Sequence, residues 1–271
     1  MKIGILSLGL IGGSILKKLS QYHKDITITA VTGNEKTIAA AASYTNDVST
    51  TISKLKDCEI VFVCAPMNKT PEILQKLESI VPKDTIVADV CSLKSFVTEK
   101  KYSFKFIGTH PMAGTENSGF EASFPELFEG AKWIITPDEA TDEKDIEKLT
   151  KLIALTGAEI IKMKAEEHDR AAALISHMPM LVSQAIMKTA LKSPAALKMA
   201  SSGFRDMTRL SLSNTQMAED MIKLNSKNIS DCAVELVESI KSLLDDSYKE
   251  QIEVIKDFRQ KMYTTDGKNA L

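Results

Sequence analysis

The sequence has no Cys-x-x-Cys pair, no excess of charge of one sign and no uninterrupted apolar run long enough to cross a bilayer. Each absence excludes something. The four cysteines, Cys58, Cys64, Cys91 and Cys232, stand apart, so the chain carries no paired-thiol redox motif and no metal site is expected. Cys58 and Cys64, in or beside an apolar run, read as small buried hydrophobes in a reducing compartment. Lys and Arg total 34 against 36 Asp and Glu, a formal net charge of −2. That balance leaves no electrostatic footprint for nucleic acid or for an anionic membrane. Two stretches imitate targeting or membrane segments. Ile3 to Leu16 is uncharged behind Lys2, but it contains Gly4, Gly9, Gly12 and Gly13 and no small-residue cleavage site follows it. Ala171 to Met187 is 17 residues without a formal charge, yet it includes Ser176, His177, Pro179, Ser183 and Gln184. It falls short of the ~20 predominantly apolar residues that a span needs. A cytoplasmic protein acting on small molecules is the expectation.

What is present is ordinary for a globular protein: 271 residues, 44% hydrophobic and 26% charged. The length suits one or two domains and lets about three-quarters of the unfolded surface be buried. Short apolar runs alternate with helical patterns through the first half. Lys2 to Leu6, Ile26 to Val31, Glu59 to Cys64, Thr85 to Asp89 and Phe104 to Gly108 read as strands, with Lys132 to Thr136 and Ile160 to Met163 later. Pro71 to Ile80 places Ile73, Leu74, Leu77 and Ile80 on one helical face. Such alternation implies a parallel sheet covered on both faces. After about Ala165 the strand signal ends, and Ala165 to Leu191, Ala195 to Ser202, Thr215 to Leu224 and Ser226 to Met262 all read as helix. The last, with Ile229, Ala233, Leu236, Ile240 and Leu243 on one stripe, is too long to bury that stripe within its own domain. A homodimer through the helical half is therefore expected. The expected division is 1–164 and 165–271, with residues 264–271 a frayed tail.

The first strand runs into Leu8-Gly9-Leu10-Ile11-Gly12-Gly13-Ser14 and then into a helix. This nearly matches the dinucleotide fingerprint G-x-G-x-x-G, with Ser7, Gly9 and Gly12 in the three glycine places. Gly9 would let backbone approach a pyrophosphate, Gly12 would let helix pack on strand, and the free N–H groups of the helix start at Leu10 and Ile11 would face the phosphates. The fold class expected is thus a Rossmann-type α/β dinucleotide-binding domain, mainly parallel, followed by an all-α dimerisation domain. Ala65 and Pro66, just beyond the Glu59 to Cys64 run, count as cofactor-binding positions too. An acid that would hold a ribose 2′-hydroxyl is missing from the end of the second strand, where Thr32 and Asn34 stand, with Lys36 close by. The cofactor expected is NAD(P)+, with a lean to NADP+.

The chain has only four histidines. His23 reads as a surface residue, and His168, behind Glu166 and Glu167, as a charged helix start or a functional group in equal measure. His110 closes a strand at the carboxyl edge of the sheet, where ligands of open α/β sheets bind. There it can take a proton from a substrate hydroxyl as hydride leaves the same carbon. His177 lies in an apolar helix two residues before Pro179, facing something specific.

Five stretches together resemble the prephenate/arogenate dehydrogenase family of tyrosine biosynthesis. They are residues 9–14, Asp89-Val90-Cys91-Ser92-Leu93-Lys94, Gly108-Thr109-His110-Pro111-Met112-Ala113-Gly114-Thr115, Ser176-His177-Met178-Pro179, and the run from Ala200 to Arg209 containing Gly203-Phe204-Arg205-Asp206-Met207-Thr208-Arg209. The resemblance implies oxidative decarboxylation of prephenate to 4-hydroxyphenylpyruvate, or of arogenate to tyrosine. It implies His110 as the proton acceptor, with Ser92 orienting it and the substrate hydroxyl. Arg209 would bind a substrate carboxylate, and His177 and Thr115 would line the same cleft. Lys94 and Arg205 would add positive field or stand as solvated side chains. Where many relatives read S-H-x-P-H, this chain has Met180, and Ala218 stands where some carry Trp. Met180 and the missing acid bring the chain nearer to NADP-linked arogenate enzymes, whereas residues 115–122 look more like prephenate enzymes. Prephenate is the substrate expected first. The competing readings are another two-domain dehydrogenase of the β-hydroxyacid or imine-reductase kind and a non-catalytic nucleotide sensor.

Overall fold

A computed structural model describes residues 1–115, 117–245 and 247–263. Apolar and β-branched runs build eight strands: β1 (Lys2–Leu6), β2 (Thr27–Val31), β3 (Asp47–Ser49), β4 (Ile60–Val63), β5 (Ile86–Asp89), β6 (Lys105–Pro111), β7 (Lys132–Thr136) and β8 (Glu159–Lys162). Their order in the sheet is β3-β2-β1-β4-β5-β6-β7-β8. All neighbours are parallel except β6 and β7. The chain moves outward in one direction from β1 to β3 and in the other from β4, so a crevice opens at the carboxyl ends of β1 and β4.

Helices cover both faces. On one, α1 (Leu10–Leu19) and, after the central strands, α5 (Glu143–Ala154) bury Ile15, Leu16, Leu19, Ile146, Leu149, Leu152 and Ile153 against Ile3, Ile5, Phe62 and Trp133. α5 begins with Glu143 and Asp145 in its first turn and has Lys151 in its last, which suits the helix dipole. On the opposite face α3 (Thr70–Leu77), opened by Pro71, sets Leu74 and Leu77 on Val61, Val63 and Val87. Two short helices, α2 (Glu35–Ala41) and α4 (Ser95–Thr98), follow β2 and β5.

The remainder is helical: α6 (Ala165–Ala172), a π-helical turn over Ala173–His177, α7 (Met178–Ala190), α8 (Pro194–Lys198), α9 (Ser202–Thr208), a 3₁₀ turn at Arg209–Leu212, α10 (Thr215–Leu224), α11 (Ser226–Ser242) and α12 (Tyr248–Met262). A small apolar cluster joins the halves, with Met67, Cys91 and Leu93 on the sheet side and Met180, Ala218 and Met221 on the helical side.

Three expectations need correction. The run Ser226 to Met262 is two helices, because Asp245 Oδ1 accepts hydrogen bonds from Ser247 N (2.8 Å) and Ser247 Oγ (2.5 Å), a side-chain turn that competes with helix. The stretch Ala165 to Leu191 is broken by the π turn, and Ala195 to Ser202 is divided between α8 and the start of α9. The sheet also gains β3, a three-residue strand with no counterpart among the expected ones. The expected tail at 264–271 lies outside the described residues. Ile229 and Cys232 are buried on α11, but Val234, Val237 and Ile240 and, on α12, Val254, Ile255 and Phe258 are exposed in a single chain. No helix among the described residues is long and apolar enough to cross a membrane.

Candidate active site

The β1–α1 turn opens a helix whose first N–H groups have no side-chain cap. Ser7 takes φ 75°, the only non-glycine in the left-handed region among the described residues, and turns the chain from strand into helix. Gly9 is the N-cap of α1, with no side-chain cap and no acid in the first turn. The N–H groups of the helix start are therefore left for a ligand. A Cβ added at Gly9 would meet no atom within 4 Å, whereas one at Gly12 would lie 2.1 Å from the Ser7 carbonyl oxygen and 3.0 Å from Cys64 Cβ. Gly9 thus lines open space, and Gly12 closes helix onto strand. Ala65 and Pro66 follow β4 at the same crevice. Leu10, Ile11 and the glycines form a cradle whose free N–H groups and open space fit a dinucleotide pyrophosphate. Thr32, just past β2, is buried, and its Oγ1 accepts from Asn34 N at 3.4 Å. Asn34 Oδ1 caps α2 by accepting from Lys36 N at 3.0 Å. No carboxylate stands at either position.

His110 lies inside β6, which runs beyond the expected Gly108 to Pro111. A buried ion pair fixes its strand: Lys94 Nζ binds Asp89 Oδ2, and both side chains are fully buried. Lys94 Nζ also donates to the Thr109 carbonyl at 2.5 Å, and Thr109 N donates to Asp89 Oδ1 at 3.1 Å. Lys94 was expected as a source of field at the substrate or as a solvated residue; it is instead a sealed strut one residue from His110. Arg205 is exposed and pairs with its neighbour Asp206 at 3.4 Å.

The half-buried His110 ring meets the helical half. Its Nδ1 is 2.9 Å from His168 Nε2, and His168 Nδ1 is 2.8 Å from Asp169 Oδ1. Asp169 then accepts the backbone N–H groups of Lys94 and Ser95, each at 2.8 Å. Asn225 Nδ2 bonds the Asp169 carbonyl (2.8 Å) and approaches His177 Nδ1 (3.2 Å). One network therefore runs from β6 through α6 to His177 at the end of the π turn. Burial holds the His110 imidazole well below its ordinary range, and its neighbours His168, Lys94 and His177 add to the effect. Burial lowers His177 to about 4. Burial works to raise the Asp169 carboxyl, but bonds from His168, Ser95 and Lys94 outweigh it and keep the group below the usual carboxylate range. At neutral pH the site holds neutral His110 and His177 beside an ionised Asp169.

The other expected positions are less closely joined. Ser92 follows β5, and its hydroxyl is directed to Met67 Sδ at 3.2 Å, with no bond to His110 among the described residues. His177 is fully buried, and its Nε2 has no partner among the described residues. Thr115 is exposed beside Asn117. Arg209 is exposed at the start of the 3₁₀ turn after α9. Met180 and Ala218 are both buried in the cluster joining the halves. Burial pushes the Cys64 and Cys91 thiols well above their ordinary range, which removes them as nucleophiles. Sequence reasoning left His168 undecided and missed Asp169 and Asn225. The available signal was the adjacent His-Asp pair opening a helix that follows the last strand.

Two family models cover nearly all of the chain: the nucleotide-binding domain of prephenate dehydrogenase over residues 15–162, and the dimerization domain of prephenate dehydrogenase over residues 164–261. The prephenate dehydrogenase of Bacillus subtilis is 31% identical over 280 residues, spanning 98% of this chain and 75% of its own. Among solved structures, Aquifex aeolicus prephenate dehydrogenase in complex with hydroxyphenyl propionate and NAD+ superposes with a TM-score of 0.85 at 29% identity, covering 96% of each chain. Synechocystis arogenate dehydrogenase gives 0.83 at 28%, covering 96% of this chain and 97% of its own.

Proposed function

The chain belongs to the prephenate dehydrogenase family, and we propose that it converts prephenate to 4-hydroxyphenylpyruvate with His110 as the proton acceptor. It is a nicotinamide-dependent oxidoreductase. When bound, the nicotinamide supplies the hydride acceptor for the substrate's carbinol carbon. The observation that carries the role of His110 is its place at the carboxyl edge of the sheet, with Nδ1 engaged by His168 and Nε2 left for a ligand.

A neutral imidazole with depressed basicity suits this work. As hydride departs, the substrate hydroxyl becomes strongly acidic, so a weak base suffices to take its proton. The electron pair of the ring–carboxylate bond enters the ring as CO2 leaves. His110 then returns the proton to the phenolate oxygen, and no net proton is released. Ser92 turns from Met67 to the substrate hydroxyl, Arg209 takes a substrate carboxylate with its two-pronged guanidinium, and Thr115 and His177 border the same space. Ser7, Gly9, Leu10, Ile11, Gly12, Ala65 and Pro66 hold the dinucleotide. Thr32 and Asn34, with no carboxylate to repel a 2′-phosphate, favour NADP+.

Residues 1–164 form the dinucleotide unit and 165–271 the helical unit, a division supported by the family matches at 15–162 and 164–261. The exposed apolar side chains of α11 and α12 support a homodimer through the helical half, and four free cysteines support a cytoplasmic setting. Arogenate is the alternative substrate, favoured by the apolar Met180. The test is a steady-state assay of prephenate or arogenate with NAD+ or NADP+, following reduced nicotinamide. Turnover of prephenate that falls by about 10²–10⁴ in His110→Asn is expected. Silence in all four combinations with cofactor still bound would overturn the reading.

A further inference from the structure

We propose that His168 and Asp169 are positioning residues that hold His110 as its Nδ1–H tautomer, leaving the Nε2 lone pair for the substrate hydroxyl. The inference rests on His110 being the base, and it follows from counting donors and acceptors. Asp169 is an acceptor on every side: Lys94 N and His168 Nδ1 reach Oδ1, and Ser95 N reaches Oδ2. His168 Nδ1 must therefore donate. With His168 neutral, as the proposal requires, donation from Nδ1 leaves only a lone pair at Nε2, which lies 2.9 Å from His110 Nδ1. His110 Nδ1 must then carry hydrogen, and its other nitrogen is bare.

The arrangement is sealed. His168 is 3% and Asp169 4% exposed, so water does not compete for either bond. The groups facing His110 come from several elements: His168 and Asp169 from α6, Lys94 from the start of α4 with its partner Asp89 from β5, and His177 from the π turn. Apart from Lys94 and Asp89, which neutralise one another, the polarity runs one way, from the Asp169 carboxylate through two imidazoles. The base is on the sheet and its orienting pair is on the first helix of the other half. A competent tautomer therefore exists only when the two halves are docked, and Asp169 itself docks them by holding the backbone of Lys94 and Ser95.

The test reads protons directly. In the full chain with ¹⁵N-labelled histidine rings, long-range ¹H–¹⁵N spectra distinguish an N–H nitrogen from a bare one. With four histidines in the sequence, single His→Gln variants assign every ring. At pH 7.5 we expect His110 and His168 both as Nδ1–H. His168→Leu, which removes the acceptor but leaves the Asp169 clamp on α4, releases His110 to a tautomer mixture. It lowers kcat by about 10²-fold with cofactor affinity unchanged, and His168→Gln recovers part of the loss. Nε2–H on His110 in the unaltered protein overturns the proposal whether or not variants fold. So does an unchanged tautomer and kcat in His168→Leu. Because the spectrum needs no substrate, the tautomer result stands or falls separately from the dehydrogenase reading.

Discussion

Gly9 and Gly12, three residues apart in the same turn, should fail in opposite ways when each becomes alanine. At Gly12 the new Cβ would sit 2.1 Å from the Ser7 carbonyl oxygen, more than about 1 Å inside ordinary contact. The atom it meets is backbone, and Cys64 Cβ at 3.0 Å blocks retreat along β4. The start of α1 must lift from the sheet, opening the contacts of the buried Ile15 and Leu16 behind it. Overpacking of this kind costs about 3 kcal/mol or more, which for a chain of this size lowers Tm by about 6–12 °C. At Gly9 the methyl meets nothing within 4 Å and the backbone is extended, so stability changes by less than about 1 kcal/mol. The methyl instead occupies the space assigned to the pyrophosphate. Loss of one charge-assisted backbone contact, about 1.5–3 kcal/mol, weakens cofactor binding about 10- to 100-fold. Thermal melts and calorimetric titration with NAD+ and NADP+ separate the two. Gly12→Ala melting within 2 °C of the unaltered chain (a margin of about 1 kcal/mol) would refute the closure argument. Gly9→Ala binding cofactor undiminished would remove the pyrophosphate from this cradle.

Three further outcomes follow from individual groups. Ser7 holds φ 75°, so Ser7→Gly should relieve left-handed strain and, after the added freedom of the unfolded chain, gain about 0.5–1 kcal/mol in urea unfolding. A loss would mean the hydroxyl itself stabilises the turn. Lys94→Met leaves Asp89 buried without its partner, a loss of about 3–5 kcal/mol. Adding Asp89→Asn should recover most of it, and no recovery would refute the pairing argument. His177 titrates near 4 when folded against an ordinary 6.5. Above pH 6.5 it is neutral in both states and contributes nothing. As pH falls from 6.5 to 4 the unfolded chain takes the proton first, so stability declines by about 3 kcal/mol. His177→Gln should flatten that decline, and a curve identical to the parent would show that His177 is not the group responsible.

The parts of the molecule that were legible in the sequence obey local rules. A strand buried on both faces of the sheet must be apolar over its buried length, which is why the bounds of β1 and β7 could be read directly. The Gly9 and Gly12 turn is dictated by what a Cβ would strike within a few residues. His110 was legible because a strand end at the carboxyl edge is a position that sequence order defines. β3 was not, since it is three half-buried residues paired to β2 alone, with Asp47 Oδ2 taking the Thr29 hydroxyl at 2.7 Å. The break between α11 and α12 turned on one aspartate choosing its own backbone over the helix.

Residues whose work is done across the docked halves left weaker traces. Asp169 reads as an ordinary acid midway along a short helix, and nothing nearby in sequence states that its carboxylate caps a backbone segment 75 residues earlier. His168 is separated from His110 by 58 residues, so its value as an orienting group exists only after folding brings α6 against β6. Lys94 misled for the same reason in reverse. A lysine is almost never fully buried unless paired, and its pairing with Asp89 five residues upstream requires the loop after β5 to fold back on the strand. The chemistry of the site is therefore carried by two kinds of residue. One kind, proposed to meet the ligand, is recognisable from its position along the chain. The other, on the proposal above, sets the protonation and aim of the first from the junction between sheet and helices, so substitutions there should change how His110 is protonated before they change what the protein binds.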